Sequence, residues 1–98
     1  DYLRGMGASG LGVEAAARTA AVLSTGAEGA IPLKEGYAAA MAAQNTSYAC
    51  VEKNIRSMVG KLQAGACGEY QALMGGLPAE RPSNELFLRR LARRILEW

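Results

Sequence analysis

Between Tyr37 and Leu62 a single stripe runs through Tyr37, Met41, Gln44, Tyr48, Val51, Ile55, Met58 and Leu62, spaced in turn by 4, 3, 4, 3, 4, 3 and 4 residues. A mean step of about 3.5 residues holds such a stripe on one side of a helix, where another helix has to cover it. The spacing predicts a long central helix over 33–64 with a heptad-like seam whose one polar member is Gln44. Its flank carries Ala38, Ala39, Ala42, Ala43 and Ala49, small enough for a second helix to come close on that side.

The remaining elements follow from punctuation and helical spacing. Residues 1–10, "DYLRGMGASG", are too glycine-rich for a stable helix and read as an arm that docks through Tyr2, Leu3 and Met6. Val13, Ala16, Ala20 and Leu23 recur at helical spacing in an alanine-rich segment, which predicts a helix over 11–24. Gly65, Gly68 and Gly60 weaken the end of the central helix, leaving a kinked continuation or a short helix over 67–75. A proline-containing linker, 76–83, leads to a last helix over 83–97, with Ser83 as its N-cap and Glu85 in its first turn.

At about 100° per residue, Phe87, Leu88, Leu91, Ala92, Ile95 and Trp98 share one arc of that last helix. Arg89, Arg90, Arg93 and Arg94 fill the opposite one. Charge is otherwise balanced: the formal net charge is +2, and the excess lies in 83–98, where these four arginines face Glu85 and Glu97. A nucleic-acid binder normally shows a domain-wide basic field, whereas the pI of 8.7 here comes from one helix face, so no nucleic-acid partner is expected. No stretch approaches the run of about 20 apolar residues that crosses a bilayer, so a soluble or peripheral chain is expected. A start at Asp1 fits removal of a signal, transit segment or tag, though an incomplete start would look the same, and the compartment is left open.

Chemistry-bearing motifs are sparse. "GMGASG" matches the dinucleotide-binding pattern through Gly5, Gly7 and Gly10, but only "DYLR" precedes it where a buried strand is needed, so a flexible glycine arm is the expectation. Asn45-Thr46-Ser47 fits the N-glycosylation pattern, yet it falls inside the predicted central helix and reads as ordinary helix surface. Cys50 and Cys67 stand 17 residues apart, about 25 Å along a straight helix, which is too far for a disulfide. They are expected as separate thiols: packing residues, sites of intermolecular bonds, or attachment points for a thioether-linked group. With no histidine in the chain, haem attachment and histidine-based metal sites are absent, and no metal is expected. The carboxylates are scattered, and neither catalysis nor a small-molecule substrate is expected.

Ninety-eight residues bury only a modest fraction of their surface alone. The seam, the alanine flank and the last helix together offer more apolar surface than a small domain readily covers, and the arms 1–10 and 76–83 are easier to account for if another subunit orders them. The sequence therefore predicts one small all-α domain of three to four helices. Its expected role is that of a non-enzymatic structural, linker or accessory subunit of a larger protein assembly. Partner-binding residues would be Tyr37, Met41, Tyr48, Val51, Ile55, Met58 and Leu62 on the seam, with Arg89, Arg90, Arg93, Arg94 and Trp98 on the last helix. Two alternatives stay open. One is an accessory protein of a light-harvesting, photosynthetic assembly with a tetrapyrrole chromophore on Cys50 or Cys67; the other is a peripheral module whose arginines lie among anionic lipid head groups.

Overall fold

The structure, a computed structural model, describes residues 2–27 and 29–97. Among these, six helices and no strand occur: α1 Tyr2–Gly5, α2 Leu11–Leu23, α3 Leu33–Gln44, α4 Tyr48–Gly65, α5 Gly68–Met74 and α6 Asn84–Leu96. The all-α expectation is met. None of these helices is long and apolar enough to cross a membrane.

Helix α2 lies at the centre and packs on α3, α4 and α6. Its alanines make this possible, since Ala15, Ala16 and Ala20 are fully buried and keep the neighbouring backbones close. Two glycines mark the tightest approaches. A Cβ on Gly12 would sit 2.5 Å from the Asn54 carbonyl oxygen of α4, and one on Gly36 of α3 would sit 2.6 Å from Thr19 Cγ2 of α2. At the second crossing the buried Thr19 hydroxyl donates to the Gly36 carbonyl at 3.3 Å, so no polar group is stranded there.

The central helix predicted over 33–64 is two helices. Asn45 adopts a left-handed conformation, φ 50°, and closes α3 with its backbone N–H on the Met41 carbonyl. Asparagine tolerates that conformation better than other residues with a Cβ. Two residues later the Ser47 hydroxyl accepts the Cys50 N–H at 3.2 Å and caps α4. The tripeptide Asn45-Thr46-Ser47, expected inside a helix, is thus the corner between two.

Part of the expected stripe on each helix turns to the same core. Tyr37 on α3 and Val51, Ile55, Met58 and Leu62 on α4 are buried beside Val13, Tyr70, Phe87 and Leu88. Tyr70 and Phe87 stack with centroids 6.5 Å apart, and the Tyr70 hydroxyl donates to Gln63 at 2.7 Å. The alanine flank is different from its expectation. Ala38, Ala42, Ala43 and Ala49 are exposed, and α2 approaches instead on the Gly36–Tyr37–Ala40 side.

Both segments expected to need another subunit are ordered on the chain itself. The N-terminal arm forms the single turn α1 and buries Leu3, Met6 and Ala8. The linker is held by Gln63, whose side chain donates to the Pro78 carbonyl at 2.6 Å. The segment 67–75 is a separate short helix, α5, after Ala66 takes a left-handed conformation and caps α4.

Candidate functional site

Helix α6 is set in place by its apolar arc. Ser83 accepts the Leu86 N–H at 3.1 Å and starts the helix, and Phe87, Leu88, Leu91 and Ala92 bury against the core with exposures of 0, 0, 2 and 6%. Ile95 packs partly buried beside them. Trp98, expected on this arc, lies outside the described residues. Burying that arc fixes the rotation of the helix and hence where each arginine goes.

The four arginines divide. Arg89 turns to one side, donating to the Ile31 carbonyl at 2.8 Å and pairing with Glu85 at 3.2 Å, with its side chain 23% exposed. It ties the loop before α3 to α6. Arg90, Arg93 and Arg94 turn to the other side, where with Glu97 and with Ala72 and Leu73 of α5 they line an open cleft of about 220 Å³. Their spacing along α6 is i, i+3, i+4 and i+7, which is one helix face. The cleft exists because α5 and α6 pack against each other.

Within the cleft one of the three guanidinium groups, that of Arg94, is held against a ring, and a second lies near the end of α5. An Arg90 guanidinium nitrogen approaches Gly75, the residue that ends α5, within 3.5 Å of where a Cβ would stand. The Arg94 guanidinium lies over the Tyr2 ring, 6.0 Å from its centroid, a cation–π distance. Burial pushes the Tyr2 hydroxyl pKa up, and the Arg94 charge pulls the other way. Arg93 is exposed.

Among the described residues no carboxylate pairs with Arg90, Arg93 or Arg94. That sets them apart from Arg18, Arg56 and Arg89, each of which faces a glutamate four residues earlier: Glu14 at 3.5 Å, Glu52 at 3.1 Å and Glu85 at 3.2 Å. These i, i+4 pairs stand at a spacing open to sequence reading, but the expected arc of four arginines did not separate Arg89 from the 90, 93, 94, 97 face. The α5 wall of the cleft was not legible either, because it depends on tertiary packing.

Of the seam residues, Tyr37, Val51, Ile55, Met58 and Leu62 are taken up by the chain's own core, while Met41 is half-buried and Tyr48 half-exposed. Tyr48 meets Tyr37 edge to face at 5.1 Å and lines a second open cleft, of about 330 Å³, with Glu52, Arg56, Arg81 and Asn84. There the Asn84 amide donates to the Tyr37 hydroxyl at 3.1 Å and to the Glu52 carbonyl at 3.0 Å. Burial raises the pKa of Tyr37, and the Asn84 hydrogen bond opposes it.

Both cysteines are free thiols. Cys50 is exposed in the first turn of α4, and the hydroxyls of Thr46 and then Ser47 lower its pKa, with Lys53 adding to the effect. Cys67 is half-buried, its sulfur 3.8 Å from the Met6 carbonyl. Neither lies in the wall of the two clefts above. Among the described residues no group of histidine, cysteine, aspartate and glutamate is placed to hold a metal ion. The chain matches no protein-family model, no curated protein and no solved structure.

Proposed function

We propose that the protein is a non-enzymatic accessory or structural subunit that docks on a larger protein partner through the arginine face of α6. The observation that supports this most is the contrast among the arginines: three are matched to glutamates within the chain, and three converge on one cleft where, among the described residues, no carboxylate pairs with them. Like charges at i, i+3 and i+4 repel one another on a helix. Carboxylates from a partner would relieve that repulsion and, through paired N–H···O contacts, fix orientation as well.

A membrane surface is the weaker reading of the same face. Amphipathic anchoring inserts an apolar arc below the head groups, and here Phe87, Leu88, Leu91 and Ala92 of that arc are buried in the domain. The chromophore reading has one observation in its favour, the exposed and activated thiol of Cys50, which could form a thioether to a tetrapyrrole. Visible absorbance with added mass on Cys50 would put it first.

Native mass spectrometry of the protein isolated with its natural neighbours tests the main reading. Release together with a larger subunit, at unmodified mass and with cross-links mapping to α6, is the expected result. A bare monomer under gentle isolation would overturn it.

A further inference from the structure

We infer that the cleft between α5 and α6 receives an acidic segment of the partner, with side-chain carboxylates seated on Arg90, Arg93 and Arg94. The inference rests on the docking role proposed above and names the chemistry of what docks. Three guanidinium groups less the Glu97 carboxylate leave a local charge of +2, which two carboxylates balance. Arg94 is already oriented over Tyr2, so part of the entropy of ordering long side chains is lost before binding. Arg93, which is exposed, can swing to meet the segment.

The layout of the arginines favours a peptide over a compact anion. Arg90, Arg93 and Arg94 are spread over about 6 Å of α6 at 1.5 Å per residue, a length along which separate carboxylates of one segment can be seated. Glu97 can accept a backbone N–H from an extended segment lying along α6. A lipid surface would have to reach these guanidinium groups inside the cleft, while Phe87, Leu88, Leu91 and Ala92 of the apolar arc are already buried in the domain.

Fluorescence anisotropy with a labelled glutamate-rich peptide, at low salt, tests this. Saturable binding is expected, weakening roughly tenfold for each of Arg90→Gln, Arg93→Gln and Arg94→Gln, and weakening again as salt rises. Arg→Lys at the same positions should restore only part of the affinity, since lysine keeps the charge and loses the planar fork. Among the described residues none of the three arginines has an ion pair, so Arg90→Gln and Arg93→Gln should melt close to wild type, while Arg94→Gln also gives up its contact with the Tyr2 ring and should melt slightly lower. Arg89→Gln should lower the melting temperature and leave peptide affinity unchanged, because Arg89 is committed to Ile31 and Glu85.

Equal binding of the glutamine counterpart of the peptide would overturn the inference. So would unchanged affinity in the triple Gln variant, or preferred binding of inorganic phosphate or anionic vesicles through the same arginines. The two proposals fail separately. Loss of the natural partner from the triple Gln variant, with no acidic segment of that partner cross-linking to the cleft, sinks the acidic-segment inference alone, whereas undiminished release of the triple variant with its partner, or the absence of any partner, sinks the docking role.

Discussion

Replacing Gly12 by alanine would set a methyl carbon 2.5 Å from the Asn54 carbonyl oxygen, 3.1 Å from its carbon and 3.1 Å from Met58 Cβ. Two of those three atoms are backbone, so no side chain can rotate away and α2 and α4 must separate. Overpacking of this kind costs about 1–3 kcal/mol, and the upper half applies because whole helices have to shift. Alanine regains at most about 1 kcal/mol of helix propensity over glycine. The net effect is a loss of about 2 kcal/mol. For a domain of this size that corresponds to about 8–16 °C in Tm, at about 4–8 °C per kcal/mol.

Gly60→Ala supplies the opposite sign from the same chemical change. It lies inside α4, and its new Cβ would meet only Arg81 Cδ at 3.5 Å, an ordinary contact. The propensity gain of about 1 kcal/mol should raise Tm by about 4–8 °C. Thermal melts by far-UV circular dichroism, with urea titrations to show that the m-value is unchanged, measure both variants. A Gly12→Ala protein melting at or above wild type would refute the close crossing of α2 and α4, and with it the placement of the core.

Four further outcomes follow from the structure. Ile55→Asp puts a carboxylate at a fully buried site with no partner, a loss of about 4 kcal/mol or more that should leave the chain largely unfolded by circular dichroism. Ser47→Ala removes the α4 cap and should cost about 1 kcal/mol, read as a lower urea midpoint. Burial raises the pKa of Tyr2, Tyr37 and Tyr70 above 10.0; the unfolded chain therefore loses these protons first, and the stability they contribute is full below about pH 10 and falls as pH rises further. Their phenolate absorbance should appear together with unfolding, and ionisation well before unfolding would contradict their burial. Alkylation of the native protein should label Cys50 before Cys67, since Cys50 is exposed and its pKa is lowered; peptide mass mapping that found Cys67 labelled first would contradict this.

Helical content and most helix boundaries were legible because alanine spacing, glycine punctuation and the Ser83 cap are local signals. The corner at Asn45 was not. Tyr37 to Gln44 and Tyr48 to Leu62 continue one another's spacing across the break, so periodicity alone cannot separate one helix from two that feed the same core. Cap chemistry in Asn45 and Ser47 was the available sign, and it was masked by that continuity. The arginine face was legible as a face and illegible in its division: Arg89 finds its partner at Ile31, 58 residues away, and only the path of the intervening chain decides that. Gly12 and Gly36 likewise carry no local sign of the helix that crosses each one.

The corner at Asn45 has a consequence for association between copies of the chain. A straight helix over 33–65 would run about 50 Å at 1.5 Å per residue, well beyond the 32 Å longest dimension of the folded chain. Such a rod could not be covered by its own domain, and its stripe would be free to pair with the same stripe of a second molecule. The corner at Asn45 and Ser47 lets α3 and α4 pack on the same core within one chain. Straightening it with Asn45→Ala and Ser47→Ala should favour exchange of α4 between two chains, seen as a dimer in size-exclusion chromatography.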